Sequence, residues 1–392
     1  MKILFVIGLA PLANFRTKGY AVINRIKEYK KLGIECEIVC PVNYFSSDIL
    51  GRITEKRASY PRTRTRILGD IEIQYPRYYS IPRKSGIFRI VEPSIEITKP
   101  DLIITHWGPT GWGSLPAAKR AGILFIQYFH GSDIHTIPKK NKYCLRETRR
   151  LLTESNLCFF VSNDLQNKAE GLIGRKIRNG YVIPNGIDPA IFKLLDLSAV
   201  CEFRRSLGIS SNKKIIGFVG NLIPIKGLLD FPGIIRELKM NFRKSDLFFI
   251  FVGDGPLKPY LEKSLRSTKF EFIFTGEVKP ETVAQYLNLF DVMILPSLKE
   301  GWPCVVLESF ACGTPVISSN NGGGSEIIEQ LPMCGKIVNR DNDFAYRFAS
   351  EIDKILSVKK ERECLSQKSR VFSWKELVKR EISIINSSCA NK

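Results

Sequence analysis

Short, near-continuous apolar runs recur from one end of this 392-residue chain to the other, separated by segments of helix length. In the first half they fall at 2–8, 36–40, 71–76, 101–106, 124–130, 157–161 and 181–184. In the second they fall at 214–220, 247–253, 271–276, 291–297, 314–319 and 335–338. Runs that are apolar throughout, rather than alternating, belong to parallel strands covered by helices on both faces. The pattern therefore predicts an α/β protein of two doubly wound, Rossmann-like domains, a number that the length also allows. The turn-rich segment Pro184-Asn-Gly-Ile-Asp-Pro189 marks the change, with domains at 1–188 and 189–370 facing each other across a cleft. Within 371–392, Phe372-Ser-Trp374 and the residues after it predict a Ser-capped amphipathic helix over 375–385.

In a doubly wound sheet, ligands gather at the carboxyl ends of the strands, and several strand ends here are built for close approach. Three runs of the second half end in glycine, at Gly220, Gly253 and Gly276, where backbone can come near a ligand. The densest cluster is Glu300-Gly-Trp-Pro-Cys-Val-Val-Leu-Glu308, between one strand and the next. Pro303 suits the first helical position and Gly313 suits the residue just past the end. Glu300 then lies in the loop at a helix mouth and Glu308 inside the helix. A helix N-terminus at this edge favours an anionic, phosphate-bearing ligand. Because carboxylates repel phosphate, the two Glu side chains are expected to meet hydroxyl groups.

Composition narrows the class. With 44% apolar residues and no low-complexity tract, the chain can bury substantial cores. Ten cysteines form no CxxC pair, and several sit inside apolar runs, as in Leu157-Cys158-Phe159-Phe160, so they read as buried hydrophobes of a reducing compartment. Three histidines leave little for a zinc site. The first apolar run is short and no small-x-small cleavage pattern follows it, so it reads as a strand rather than a signal peptide. No run reaches the ~18 residues of a spanning helix.

The net charge of +20 calls for a polyanionic partner or surface. Its excess between Gly51 and Ile90 is interleaved with Tyr60, Tyr75, Tyr78 and Tyr79. Such a run can be a solvated face. The aromatic interleaving favours docking on anionic lipid headgroups, at about 1 kcal/mol per basic residue near the surface. Nucleic-acid binding is the weaker reading, since no nucleic-acid motif accompanies the charge.

Several stretches together resemble the family 4 glycosyltransferases, which have the two-domain GT-B fold. They are the Glu-x7-Glu pair, His130-Gly-Ser-Asp133, Ile183-Pro-Asn-Gly-Ile-Asp188, Val219-Gly-Asn-Leu-Ile-Pro-Ile-Lys-Gly227, Val252-Gly-Asp-Gly-Pro256, Phe274-Thr-Gly-Glu-Val278 and Gly322-Gly-Gly-Ser-Glu326, in family order. The resemblance implies that Glu308 bonds the ribose hydroxyls and that Glu300 lies beside the donor sugar. It places His130 near the reacting centre and Lys226 on the donor diphosphate, where a fixed cation stabilises the leaving group's charge. Gly19, Asn221, Gly276, Val278, Trp302 and Cys304 are implied at the donor, with the base seated after Gly276. His106, Asp133 and Arg16 are implied on the acceptor side, and Ser325 suits a helix cap. The last helix is implied to cross back onto the first domain.

Two departures mark the chain. Asn221 stands where many members carry Arg, leaving Lys226 more solitary; Arg16 or Lys18, after the first strand, are candidates to supply the missing cation. Trp302-Pro303 stands where many carry Phe-Gly, so backbone groups of Trp302 and Cys304 must meet the phosphate. Both are familiar from the branch that builds bacterial surface polysaccharides, of the teichuronic-acid type. The resemblance implies retaining transfer from a nucleotide-sugar, UDP-linked first and GDP-linked second, to a glycan or polyprenyl-diphosphate-linked acceptor. It implies no cofactor and no metal, with Asp341-Asn-Asp343 read as turn chemistry, in a cytoplasmic protein peripheral to the inner membrane face. Other readings stay open: a nucleotide-sugar 2-epimerase on the same fold, a non-enzymatic basic adaptor, and a sucrose- or starch-type synthase.

Overall fold

The computed structural model describes residues 1–8, 19–43, 65–68, 70–78, 83–242, 244–268, 270–358 and 361–390. The backbone divides into two compact units, Met1–Asn185 with Trp374–Lys392, and Gly186–Ser373. The first break falls inside the expected turn, and the second falls just before the last helix, which groups with the first unit.

The first unit runs β1 (Lys2–Ile7), α1 (Tyr20–Lys31), β2 (Glu35–Val39), β3 (Val42–Asn43), β4 (Thr65–Leu68), β5 (Ile71–Gln74), β6 (Arg77–Tyr78), α2 (Arg83–Thr98), β7 (Leu102–His106), α3 (Gly108–Ala121), β8 (Leu124–Phe129), α4 (Ser132–His135), α5 (Lys142–Glu154), β9 (Leu157–Phe160), α6 (Asn163–Ile173) and β10 (Gly180–Val182). Eight strands form one sheet in the order β10-β9-β8-β7-β1-β2-β5-β4. All its pairs are parallel except β4 with β5. The short β3 and β6 pair separately. β3, β4 and β6 escaped the sequence reading: Val42–Asn43 and Arg77–Tyr78 are two residues long, and Thr65–Leu68 follows a run of Arg and Thr that carries no apolar pattern. Helix starts follow local chemistry. The Asn141 side chain accepts from the Cys144 N–H at 2.8 Å and Ser162 accepts from the Leu165 N–H at 3.2 Å, each satisfying an orphan donor. Ile3, Phe5 and Ile7 pack with Ile23, Ile26 and Tyr29 of α1 and with Val378 and Ile385 of the last helix.

The second unit runs α7 (Leu197–Ser206), β11 (Lys214–Val219), a 3₁₀ turn (Pro224–Lys226), α8 (Phe231–Met240), β12 (Leu247–Val252), α9 (Lys258–Arg266), β13 (Glu271–Gly276), α10 (Pro280–Leu289), β14 (Val292–Leu295), α11 (Cys304–Ala311), β15 (Val316–Ser319), α12 (Gly323–Gln330), β16 (Gly335–Val338), α13 (Phe344–Ser357) and α14 (Arg362–Ser369). The final α15 (Trp374–Ala390) belongs to the first unit and extends past the expected 375–385. Six parallel strands lie in the order β13-β12-β11-β14-β15-β16. The order reverses between β11 and β14, which makes their carboxyl ends the switch point where such sheets take ligands. Two local expectations are corrected. Pro303 caps α11 instead of opening it, since its ψ of 99° is extended. The Ser325 hydroxyl donates back to the Gly322 carbonyl at 2.8 Å inside α12, and Asn321 does the capping, accepting from the Gly324 N–H at 3.0 Å.

All ten cysteines are free thiols. Burial pushes Cys40 and Cys158 up to about 12, so neither forms a thiolate at neutral pH. No helix of the described residues is long and apolar enough to cross a membrane. Residues 51–64, 69 and 79–82 of the basic stretch lie outside the described residues, as do Arg16 and Lys18.

Candidate active site

At the switch point of the second unit, two loops are stitched together. Lys226 closes the turn after β11 and Glu300 lies in the loop after β14. Their charged ends meet at 2.7 Å although 74 positions separate them in the chain. Ser297 donates to the same carboxylate oxygen at 2.7 Å. Backbone bonds hold the loops in register: Leu298 N–H to the Ile225 carbonyl at 2.8 Å, and Glu300 N–H to the Asn321 carbonyl at 2.9 Å. Gly227 sits at φ +68°, and a Cβ there would stand 1.8 Å from the Pro296 carbonyl oxygen. A Cβ at Gly323 would stand 2.0 Å from the Gly301 oxygen. Both glycines are therefore demanded by close backbone approach. The same approach brings the start of α12 against the loop that leads into α11.

Glu308, on α11, is half-buried, and its carboxyl makes no hydrogen bond or ion pair among the described residues. Burial pushes it up to about 7. Trp302 is 6% exposed and its ring centroid lies 5.9 Å from that of Phe372, so the indole is packing in the loop between Glu300 and α11. The Cys304 thiol is half-buried at the first turn of α11. Asn221 is exposed after β11. Gly253 and Gly255 pack against the Gly220 and Leu222 carbonyls, tying the β11 and β12 ends together. Gly276, at φ +71°, has open space where a Cβ would lie, and Val278 beyond it is half-buried. Asp341 pairs with Arg347, and Asp343 sits at the start of α13.

In the first unit, the strand ends carry a second cluster. His106 ends β7 and His130 follows β8, and His106 Nδ1 lies 2.8 Å from His130 Nε2. Burial holds His130 down at about 3 and His106 well below its ordinary value, with the Arg25 charge adding to both, so the pair is neutral. Asp133 is fully buried and accepts from the His130 backbone N–H at 2.8 Å; burial raises it to about 6. His106 and Asp133 are both fully buried. Gly19, at φ +74°, precedes α1 and is half-buried. Trp107, between the histidine-bearing strand and α3, holds a φ of +69° without being glycine, and its ring lies 4.9 Å from His130. Strain of that kind persists where the surroundings over-determine it.

Sequence reasoning missed Ser297 and Asn321, although both are polar residues at strand ends. It also missed Arg25, buried in α1, whose guanidinium donates to Glu381 of α15 at 2.5 Å, to the Tyr128 hydroxyl, and to the Pro184 carbonyl at 3.0 Å.

Two parallel-sheet units with their polar side chains gathered at strand ends define a GT-B protein. The description "Glycosyl transferases group 1" matches residues 201–372, and "Glycosyltransferase Family 4" matches 20–191. The chain belongs to this glycosyltransferase family. It is 28% identical over 340 residues to TuaC of Bacillus subtilis (strain 168), assigned to teichuronic acid biosynthesis as a glycosyltransferase, covering 83% of each chain. Among solved structures it resembles Anabaena HepE in complex with UDP (TM-score 0.73, 18% identity, 99% of this chain and 100% of that one). It also resembles a sucrose-phosphate synthase from Thermosynechococcus elongatus (TM-score 0.75, 14% identity, all of both chains).

Proposed function

We propose that the protein transfers a sugar from a nucleotide-sugar, UDP-linked first and GDP-linked second, to a hydroxyl of a glycan or polyprenyl-diphosphate-linked acceptor in surface-polysaccharide synthesis. The observation that carries this reading is the Lys226–Glu300 pair at the switch point, with the unpartnered carboxyl of Glu308 on the helix that follows. Lys226 holds one cation where a diphosphate would arrive, and the starts of α11 and α12 add backbone N–H groups of the sign an anion needs. Glu308 supplies the acceptor for ribose hydroxyls, and Glu300, held by Ser297 and Lys226, the acceptor for a sugar hydroxyl. As the glycosidic bond breaks, charge grows on the departing diphosphate, and Lys226 is fixed beforehand to meet it. A polysaccharide setting is supported by the likeness to TuaC, and a UDP donor by the nucleotide in the HepE complex.

The reading includes retention of anomeric configuration, with the leaving diphosphate oxygen taking the acceptor's proton. It includes no cofactor, no metal at the diphosphate, and a place at the inner face of the membrane, where the charge of +20 meets anionic lipid. Purified protein offered UDP-, GDP-, ADP- and dTDP-sugars, with and without acceptor and EDTA, tests it by released nucleotide and by product mass. Release from one donor that survives EDTA and collapses in Glu308→Ala is expected. A sugar product altered in configuration without any acceptor would instead establish the epimerase.

A further inference from the structure

The chain has three histidines, and two of them form a closed pair. His106 is fully buried at the end of β7, its ring stacked on Tyr128 at 4.8 Å and 12° and on Phe5 at 6.4 Å and 20°. Its Nδ1 faces His130 Nε2 at 2.8 Å, while its Nε2 is buried with no partner among the described residues. His130 is half-buried, lies 4.9 Å from the Trp107 ring, and its Nδ1 makes no hydrogen bond among the described residues.

A neutral imidazole carries one N–H and one lone pair, and the tautomer follows from the bond that the other nitrogen makes. One proton must lie between the two facing nitrogens. Were His130 Nε2 the donor, His106 would accept through Nδ1 and carry its own proton on Nε2, a buried N–H with no acceptor. Were His106 Nδ1 the donor, its Nε2 would be an unprotonated lone pair. Buried N–H groups without an acceptor are the rarer defect in folded proteins. The proton therefore belongs on His106 Nδ1, which uses up the lone pair of His130 Nε2 and puts the His130 proton on Nδ1.

We infer that His106 is a positioning residue that fixes His130 in the Nδ1–H tautomer, so that His130 meets the substrate as a neutral hydrogen-bond donor and not as a general base. With its lone pair engaged by His106 and its free nitrogen protonated, the ring has nowhere to accept a proton from an acceptor hydroxyl. It donates instead to an oxygen of the sugar. Around the pair lie the Arg25 guanidinium, which is fully buried and works against a second proton on either ring, and the Asp133 carboxyl, which holds the His130 backbone and leaves its ring alone. This assignment of roles at the sugar rests on the proposed transferase reading, whereas the tautomer itself does not.

The test is a long-range ¹H–¹⁵N correlation spectrum of the full chain labelled with ¹⁵N-histidine at neutral pH. Three rings give three patterns, assigned with His130→Gln and His106→Asn. Protonated, pyrrole-type Nδ1 and bare, pyridine-type Nε2 are expected for both His106 and His130. A protonated Nε2 on His130 would overturn the assignment. His106→Asn, whose amide keeps an N–H near the place of Nδ1, should retain the His130 pattern and transfer within about threefold of wild type. His106→Leu should move the His130 proton toward Nε2 and lower kcat about tenfold, the worth of one hydrogen bond, with KM for the donor changed less. Equal losses in the Asn and Leu variants would reduce His106 to packing and overturn its positioning role. If no donor is turned over, the transferase reading fails, and the ring shifts still decide the tautomer.

Discussion

Burial without a partner sets the chemistry of Glu308. Its carboxyl titrates near 7 in the folded chain against an ordinary 4.5, because the half-buried charged form is poorly solvated. Ribose hydroxyls donate only to the charged form with full strength, so nucleotide binding and loss of this proton are linked. Donor affinity measured by calorimetry should accordingly rise from pH 6 to pH 8 and then level off. Glu308→Gln should bind more weakly and show a flat profile; an unchanged pH slope in that variant would assign the proton elsewhere. The same raised value means that Glu308 contributes stability fully below about pH 4.5, and that this contribution is lost as pH rises through 7. At pH 8 the Gln variant should therefore be the more stable protein, by about 1–2 kcal/mol in denaturant unfolding. Lys226 poses the opposite case. Removing it leaves Glu300, whose side chain is 10% exposed, with Ser297 alone. Lys226→Ala should lower donor turnover about 100-fold through lost charge stabilisation of the leaving group. Lys226→Arg should recover part of that loss, since the cation remains while its shape changes.

At the scale of elements, the site depends on loops that must touch, and two glycines permit it. In Gly227→Ala the new methyl would meet the Pro296 carbonyl, which is backbone and cannot rotate away, at a φ of +68° that already disfavours a side chain. A loss of about 2–4 kcal/mol is expected, together with a weakened donor affinity, because the turn carrying Lys226 must move from the loop carrying Glu300. A control is at hand in Gly174→Ala, at φ +70° with open space around it, which should cost only the backbone term of about 1 kcal/mol and spare donor binding. Equal effects at both positions, read by urea melts and donor titration, would refute the argument from contact. These elements also show what the sequence made legible. The long apolar strands, the glycine ends and the Glu300-to-Glu308 helix could be read, because each is a local pattern of several residues with one physical cause. The two-residue Val42–Asn43, and Thr65–Leu68 behind its run of Arg and Thr, could not. Caps were misplaced by a residue or more at Pro303 and Ser325, where the deciding fact was a backbone angle in one case and an Asn321 bond in the other. That Lys226 would meet Glu300 itself was not readable from either loop alone.

At the scale of the whole molecule, the last helix is tied to the first unit by a charge that no local pattern announces. Arg25 and Glu381 are 356 positions apart, each is fully buried, and their ends meet at 2.5 Å. The guanidinium also lies 4.3 Å from the Tyr128 ring centre and 5.2 Å from that of Trp374, and it donates to the Pro184 carbonyl at the end of the first unit's main segment. In a sequence, one Arg in an amphipathic helix reads as a solvent-facing residue, which is why the cluster stayed hidden. Desolvating two charges is expensive, and such a pair need not stabilise more than an apolar core would. Breaking it by halves is another matter, since the survivor is left buried and unpaired. Arg25→Ala and Glu381→Ala should each cost about 3–5 kcal/mol, and the double substitution Arg25→Met with Glu381→Leu should cost far less than the sum. Each unit has its own core, so the loss should appear only in the transition of the first unit. Hydrogen exchange should then show α1, β8 and α15 losing protection together, while β11 to β16 keep theirs. Single substitutions that add without coupling would mean that the two charges are solvated separately, and that α15 is held by its apolar residues, Val378 and Ile385 among them.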